Sequence, residues 1–255
     1  MGKKGKVGRL KRNPAPRFWP IHRKEAVWTV RPSPGPHSLE KCLPLSIVLR
    51  DILKVAETRK EAKKIISQGK IHVDGKVRLK DDFPVGLMDI ISMPELKKFY
   101  RILPSQKGLI LNPISEEEAR FKLLRIEGKN LVKDGNLQVS LHDGTNLLVK
   151  TEVSEKPSEV AFETFATLKI GIPEKQLLAQ LRTKKGNIAI LTGGKNIGKK
   201  GKIVEIEKTE AKKRRNALVI VEDEKGSRYQ TILDFIFSIG SAKSLISLPE
   251  ADPVV

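Results

Sequence analysis

The sequence predicts an α+β, β-rich chain of several domains. A basic, irregular N-terminal arm over residues 1–41 precedes two helices plus a hairpin over 42–107. A central β domain over 108–173 and further strands around a glycine-rich turn over 174–255 follow. Three observations carry this reading. Prolines and cations crowd the first segment. Helical apolar periodicity is strongest in the second. Beyond it, short apolar alternations are separated by Gly, Asn and Asp turns. A length of 255 residues fits about two domains, or three small ones.

The arm holds Lys3, Lys4, Lys6, Arg9, Lys11, Arg12, Arg17, Arg23, Lys24, Arg31 and Lys41. Pro14, Pro16, Pro20, Pro32, Pro34 and Pro36 each remove a backbone donor and oppose a helix at the preceding residue. The arm is therefore expected to be irregular and without its own core. Phe18, Trp19 and Trp28 lie between the cations, so it is expected to order against a partner or a neighbouring domain.

In 42–107, Leu45, Val48, Leu49, Ile52, Leu53 and Ala56 repeat on one helical face. A second helix starts at Thr58, with Glu61 completing a capping box, and stops at Gly69. Arg59, Lys60, Lys63 and Lys64 are neighbours at helical spacing and make a compact cationic face. A hairpin over Lys70–Leu79 turns at Asp74-Gly75. A three-residue loop, Val73-Asp74-Gly75, pairs Ile71 with Val77 on one face. It places Lys70, His72, Lys76 and Arg78 on the other, so that register is expected.

In 108–173, Ser115-Glu116-Glu117-Glu118 predicts a short helix through Leu124, with the three carboxylates as surface charge at its N-terminus. Leu137–Leu141 and Asn146–Val149 predict a hairpin around His142-Asp143-Gly144-Thr145, and turns are expected at Lys133-Asp134-Gly135-Asn136 and near Gly171. No catalytic pattern appears here.

In 174–255, the strand Asn187–Leu191 leads into Thr192-Gly193-Gly194-Lys195-Asn196-Ile197-Gly198-Lys199-Lys200-Gly201-Lys202, then a strand Ile203–Ile206. The glycine run comes close to a nucleotide-binding P-loop. Lys200 stands where such a loop needs Ser or Thr, and a strand follows where a helix is required, so nucleotide hydrolysis is excluded. Gly194, Gly198 and Gly201 let the backbone turn sharply, while Lys195, Lys199, Lys200 and Lys202 offer point charges to phosphates. Lys212–Arg215 predicts a basic loop before a strand Ala217–Val221, and Ile232–Leu248 the last strands and a tail.

Charge narrows the function. Lys and Arg total 49 against 30 Asp and Glu, net +19. The arm carries net +9, residues 42–107 +6, residues 108–173 −2 and residues 174–255 +6. Several basic modules around a neutral one suit a polyanion gripped at several points. No apolar run is long enough to span a bilayer, and the basic start lacks the apolar core of a secretory signal. One cysteine, Cys42, and four scattered histidines give neither a disulfide nor a zinc pattern. A soluble intracellular protein without metal or cofactor is expected.

The helix pair followed by Gly69-Lys70-Ile71-His72-Val73-Asp74-Gly75-Lys76-Val77 resembles the small RNA-binding alpha-L domain. Gly194, Gly198, Gly201 and Ile203 resemble a KOW motif on an SH3-like barrel. Arm, alpha-L domain, β middle and KOW barrel in this order resemble the S-four-e family, the archaeal and eukaryotic type of small-subunit ribosomal protein four. Further segments match: Ala15-Pro16 with Trp19, Arg31–His37, Glu40–Leu45, Asp74–Arg78, Pro84–Ile91, Thr192–Gly194 and Ile246–Pro249. The chain stops at Val255 without a longer basic tail, so an archaeal source is expected.

The resemblance implies a structural, non-catalytic protein of the small ribosomal subunit, in the cytoplasm within the ribosome. Its partners would be small-subunit (16S-type) rRNA and neighbouring ribosomal proteins, with no membrane, small-molecule substrate or homo-oligomer. The arm cations other than Lys41, with those of the second helix, hairpin and glycine-rich turn, are the candidate RNA-binding residues. An RNA-modifying enzyme would need an active site that 108–173 does not display. An elongation factor would leave the arm and the alpha-L segment unexplained.

Overall fold

The computed structural model describes residues 8–132, 135–149, 162–207, 214–223 and 225–249. Two compact units emerge, one up to Ile102 with Lys107–Pro113, the other Leu103–Gln106 with the chain from Ile114 onward.

The first unit opens with a two-stranded ribbon, β1 (Leu10–Lys11) against β2 (Trp28–Thr29). The arm is therefore more ordered than its prolines suggest, and it shares a core. Ala15 and Trp19 are buried with Leu43, Leu45, Leu49, Ile66 and Val85. Burying each large apolar side chain in such a cluster contributes about 1.5–3 kcal/mol.

Strand β3 (Cys42–Pro44) leads into helix α1 (Leu45–Ile47), which widens into a π-helical turn over Val48–Ile52. The Leu53 amide reaches the Val48 carbonyl, and Lys54 at φ 51° ends the turn. The periodicity thus marks a helix that stops before Ala56, which is buried beyond it. Helix α2 (Arg59–Ser67) has the expected capping box between Thr58 and Glu61, and Gly69 takes φ 77° just past its end.

Five strands form a sheet, most of it in this unit: β4 (His72–Val73), β5 (Lys76–Val77), β7 (Ile90–Met93), β8 (Lys98–Ser105) and β9 (Gly108–Ile114), in the order β5-β4-β7-β8-β9. Strand β6 (Pro84–Gly86) pairs with β3.

The hairpin register differs from expectation. His72 faces Val77 and Val73 faces Lys76, with Asp74 (φ 51°) and Gly75 (φ 71°) alone forming the turn. Two consecutive positive φ values define the type I′ turn that matches strand twist. The expectation assumed that the hairpin buries its own apolar face. Instead Ile71 and Val73 face the unit's core, packed with Leu43, Ile66 and Val85, while the edge residue Val77, on the opposite face, stays 50% exposed.

In the second unit the expected helix after Ser115 shrinks to one 3-10 turn, Glu118–Arg120. The Glu118 amide does donate to Ser115 Oγ (3.3 Å). Leu123 and Leu124, however, lie in the long strand β10 (Phe121–Leu131), which pairs with β11 (Leu137–Leu141) and β13 (Thr167–Gly171). With β12 (Asn146–Val149) and β14 (Leu177–Leu181) the order is β12-β11-β10-β13-β14. The expected hairpin at His142–Thr145 forms, while the expected turn at Lys133–Asn136 lies partly outside the described residues. Residue 173, the expected end of the central domain, falls inside the β13–β14 hairpin. Glu118 is buried, accepting bonds from Ser247, so it is not surface charge like its neighbours.

A second five-stranded antiparallel sheet follows: β15 (Ile188–Leu191), β16 (Lys200–Glu207), β17 (Leu218–Glu222), β18 (Arg228–Ile232) and β19 (Ile236–Gly240), ordered β18-β17-β16-β15-β19. Its core is Ala189, Leu191, Ile203, Val219, Val221 and Ile236.

Candidate nucleic-acid interface

Helix α2 buries Ala62 and Ile66, packs Ile65 against the same core and turns its charged residues outward. Lys60, Lys63 and Lys64 are exposed with no ion pair among the described residues. Arg59 is also exposed, but Asp81 holds its guanidinium (Nη2 to Oδ2, 2.9 Å). The Glu57 and Thr58 amides donate to Glu61 and draw its carboxyl below the usual range, so the helix N-terminus carries its own counter-charge.

On the hairpin, Lys76 is exposed and His72 half-buried. Lys70 meets Glu95 at 3.0 Å. Arg78 stacks its guanidinium 4.1 Å from the Phe83 ring centroid. With the observed register, Lys76 and His72 project to opposite faces, so the hairpin cations do not form the single face expected of them.

The arm divides its cations. Arg9, Lys11, Arg17 and Lys24 are exposed, and Arg31 is half-buried. Lys3, Lys4 and Lys6 lie outside the described residues. Arg12 is buried at 7% exposure, paired with Glu25 (2.8 Å) and donating to the Trp28 and His22 carbonyls. That guanidinium draws the Glu25 carboxyl below the usual carboxylate range. Arg23 donates to the carbonyls of Arg12, Asn13, Ala15 and Pro16. These two arginines fasten the arm onto itself. Arginine offers five fixed donors, and an arm rich in proline has many unpaired carbonyls to receive them.

In the second unit, Gly194 (φ 79°) and Gly198 (φ 84°) turn the chain between β15 and β16. Gly201 serves differently: a Cβ there would stand 2.5 Å from the Glu222 carbonyl oxygen on β17. The segment after the turn is the strand β16, as the rejection of a P-loop requires. Lys195 and Lys202 are exposed, Lys200 half-buried, and the Lys199 ammonium sits 4.0 Å from the Tyr229 ring centroid. Lys200 and Lys202 line an open cleft with Lys185 and Lys243, two cations absent from the expected set. The pair Lys184-Lys185 just before a glycine and a strand was the available signal for the first. Of the basic loop before β17, Lys212 and Lys213 lie outside the described residues.

Other charged groups are structural. Lys122 and Asp143 pair at 3.4 Å in the interior. Burial works against the Asp143 carboxylate, but Lys122 and the Thr145 bonds outweigh it and hold its pKa below the ordinary value. Arg125 donates to the Asp234 and Ile236 carbonyls and bonds Glu127. Burial, with Asp89 nearby, pushes the Cys42 thiol up to about 12, which removes it as a nucleophile. Among the described residues no cluster of His, Cys, Asp and Glu could hold a metal ion, and no helix is long and apolar enough to cross a membrane.

Comparison with known proteins supplies the remaining findings. The family described as Ribosomal family S4e matches residues 96–177, the RS4NT domain residues 4–40 and the S4 domain residues 43–91. The chain is 46% identical to small ribosomal subunit protein eS4 of Staphylothermus marinus over 251 residues, covering 98% of this chain and 99% of that protein. It is 47% identical to the eS4 protein of Desulfurococcus amylolyticus over the same shares. The crystal structure of 30S ribosomal protein S4e from Thermoplasma acidophilum superposes with a TM-score of 0.63 at 28% identity, covering 79% of this chain and 96% of that one.

Proposed function

The chain belongs to the ribosomal S4e family, and we propose that it is a structural component of the small ribosomal subunit, binding the subunit's rRNA and supporting assembly and translation. Its relatives are ribosomal-subunit proteins of archaea, and it is not an enzyme. The observation that carries the reading is the exposed Lys60, Lys63 and Lys64 face of α2, inside the S4-domain match.

Recognition is by backbone and shape. Lys60, Lys63, Lys64 and Lys76, with Arg59 steered by Asp81, meet phosphates and 2′-hydroxyls of folded RNA. Residues 42–107 act as an alpha-L module, and the five strands from β15 to β19 as an SH3-like KOW barrel. The two glycines at positive φ and the strand that follows them support the second assignment. Lys195, Lys199, Lys200 and Lys202 then bring a second set of cations to the RNA, and Arg9, Lys11, Arg17 and Lys24 a third. The start of the arm, with Lys3, Lys4 and Lys6, joins that third set. The site of action is the ribosome in the cytoplasm, beside other small-subunit proteins.

The test is binding of the full chain to transcribed archaeal small-subunit rRNA in the presence of excess unrelated RNA. Retention against competitor supports the reading. Equal loss to any competitor would leave only non-specific attraction between a basic protein and a polyanion.

A further inference from the structure

The two tryptophans have opposite fates. Trp19 is 3% exposed, while Trp28 stands 48% exposed on the ribbon of β1 and β2. In that ribbon Lys11 pairs with Trp28 and Leu10 with Thr29. Side chains of directly paired residues share a face, and residues two apart on one strand do too. Lys11 and Trp28 therefore rise from one face, while Leu10 turns to the other and packs against the core; Arg9 precedes the strand. The Arg9 guanidinium lies 5.8 Å and the Lys11 ammonium 6.0 Å from the Trp28 ring centroid.

The backbone beneath the indole is fixed. The buried Arg12 donates Nε to the Trp28 carbonyl (3.3 Å), and the Arg12 amide bonds the Val27 carbonyl (3.0 Å). The segment around the ring is strongly basic. Residues 8–30 carry six Lys and Arg and one carboxylate, Glu25, which Arg12 already pairs. An exposed indole on a hydrogen-bonded backbone, with two long cationic side chains over its ring that can swing aside, fits a flat ligand that carries phosphates.

We propose that Trp28 is a stacking platform for an unpaired RNA base, with Arg9 and Lys11 meeting the phosphates of that nucleotide and its neighbour. The proposal rests on the RNA-binding reading above and adds a single-stranded contact to one otherwise based on shape. Stacking is tolerant of base identity because every base has a π face, so the platform selects an unpaired nucleotide over a duplex.

The test uses the full chain with two probes, an unstructured oligo-adenylate and a blunt RNA duplex of the same length. The emission of Trp28 is isolated as the difference between the wild type and Trp28→Phe. The proposal expects that emission to be quenched by the single strand and unchanged by the duplex. Trp28→Ala should weaken single-strand binding about tenfold, the usual scale for one stacked base, and Trp28→Phe should keep most of it. Duplex affinity should be the same in all three proteins, which also reports that the variants fold. Unchanged single-strand affinity in Trp28→Ala, with duplex binding intact, overturns the platform, leaves the RNA-binding reading standing and points to a protein neighbour on this face. Equal loss on both probes assigns Trp28 a structural role and overturns the platform too. Failure of the wild type to bind the single strand overturns the platform, and the retention test with transcribed rRNA then decides the RNA-binding reading separately.

Discussion

The Trp19 indole donates its Nε1 proton to the carbonyl oxygen of Cys42 across 2.9 Å, in the interior of the first unit. The bond joins the arm to strand β3 through residues 23 positions apart, and the ring fills the core beside it. An otherwise basic, proline-rich arm thereby becomes part of a folded domain. Trp19→Phe keeps most of the apolar contact and deletes the donor, so it should cost about 1–2 kcal/mol. Trp19→Ala also opens a cavity and should cost about 3–5 kcal/mol. Urea denaturation checks both. Equal stabilities of the two variants would mean that the ring's volume contributes nothing.

The hairpin turn gives a second prediction. Gly75 sits at φ 71°, so Gly75→Ala should destabilise by about 1 kcal/mol, and a β-branched residue there by more. Nuclear Overhauser contacts between the α protons of His72 and Val77 should be strong, because they face each other without a bond between them. Strong contacts between Ile71 and Val77 instead would restore the longer loop.

These elements separate what sequence reveals from what it hides. The capping box at Thr58 and Glu61, the stop at Gly69 and the hairpin at His142–Thr145 were legible, because each is set by residues within a few positions. The register of the hairpin was not, since Ile71 and Val73 are buried by core residues distant in sequence, among them Leu43 and Ile91. Ser115 offered a genuine capping signal, but pairing of Phe121–Arg125 with Thr167–Gly171 overrode it. Among the candidate cations the same divide holds. The α2 lysines followed from helical spacing alone. The internal roles of Arg12 and Arg23 depend on carbonyls 7 to 16 residues away, which no local pattern announces.

The buried pair in the second unit predicts a pH dependence. The folded-state pKa of Asp143 lies below its ordinary value of 3.8. Its contribution is therefore fully present above that value and is lost as pH falls through it toward the folded value. Thermal melts of the wild type should lose stability on acidification from about pH 5 to pH 2, and Asp143→Asn should flatten part of that slope. At neutral pH, Asp143→Asn leaves the Lys122 charge buried and should cost about 3–5 kcal/mol. A combined Lys122→Met, Asp143→Leu variant should recover most of the loss. An unchanged acid slope in Asp143→Asn would show that the pair does not titrate as described.

The α2 face predicts a salt dependence. Replacing Lys60, Lys63 and Lys64 by Gln should weaken binding to structured rRNA. It should also lower the slope of log affinity against log salt by roughly 0.7–0.9 for each phosphate the variant no longer neutralises. Arg59→Gln should weaken binding less than any of these lysines, because Asp81 already holds the guanidinium. A slope that stays the same in the triple variant would show that α2 does not face phosphate.

A built-in part of the small ribosomal subunit sediments with that subunit, and a sucrose gradient reads the association. Lysate from the source organism is run through sucrose gradients at moderate and high salt, and the chain is followed by an antibody. A structural component co-migrates with small subunits and stays with them at high salt. A chain found at the top of the gradient at moderate salt would mean that it is not part of the subunit.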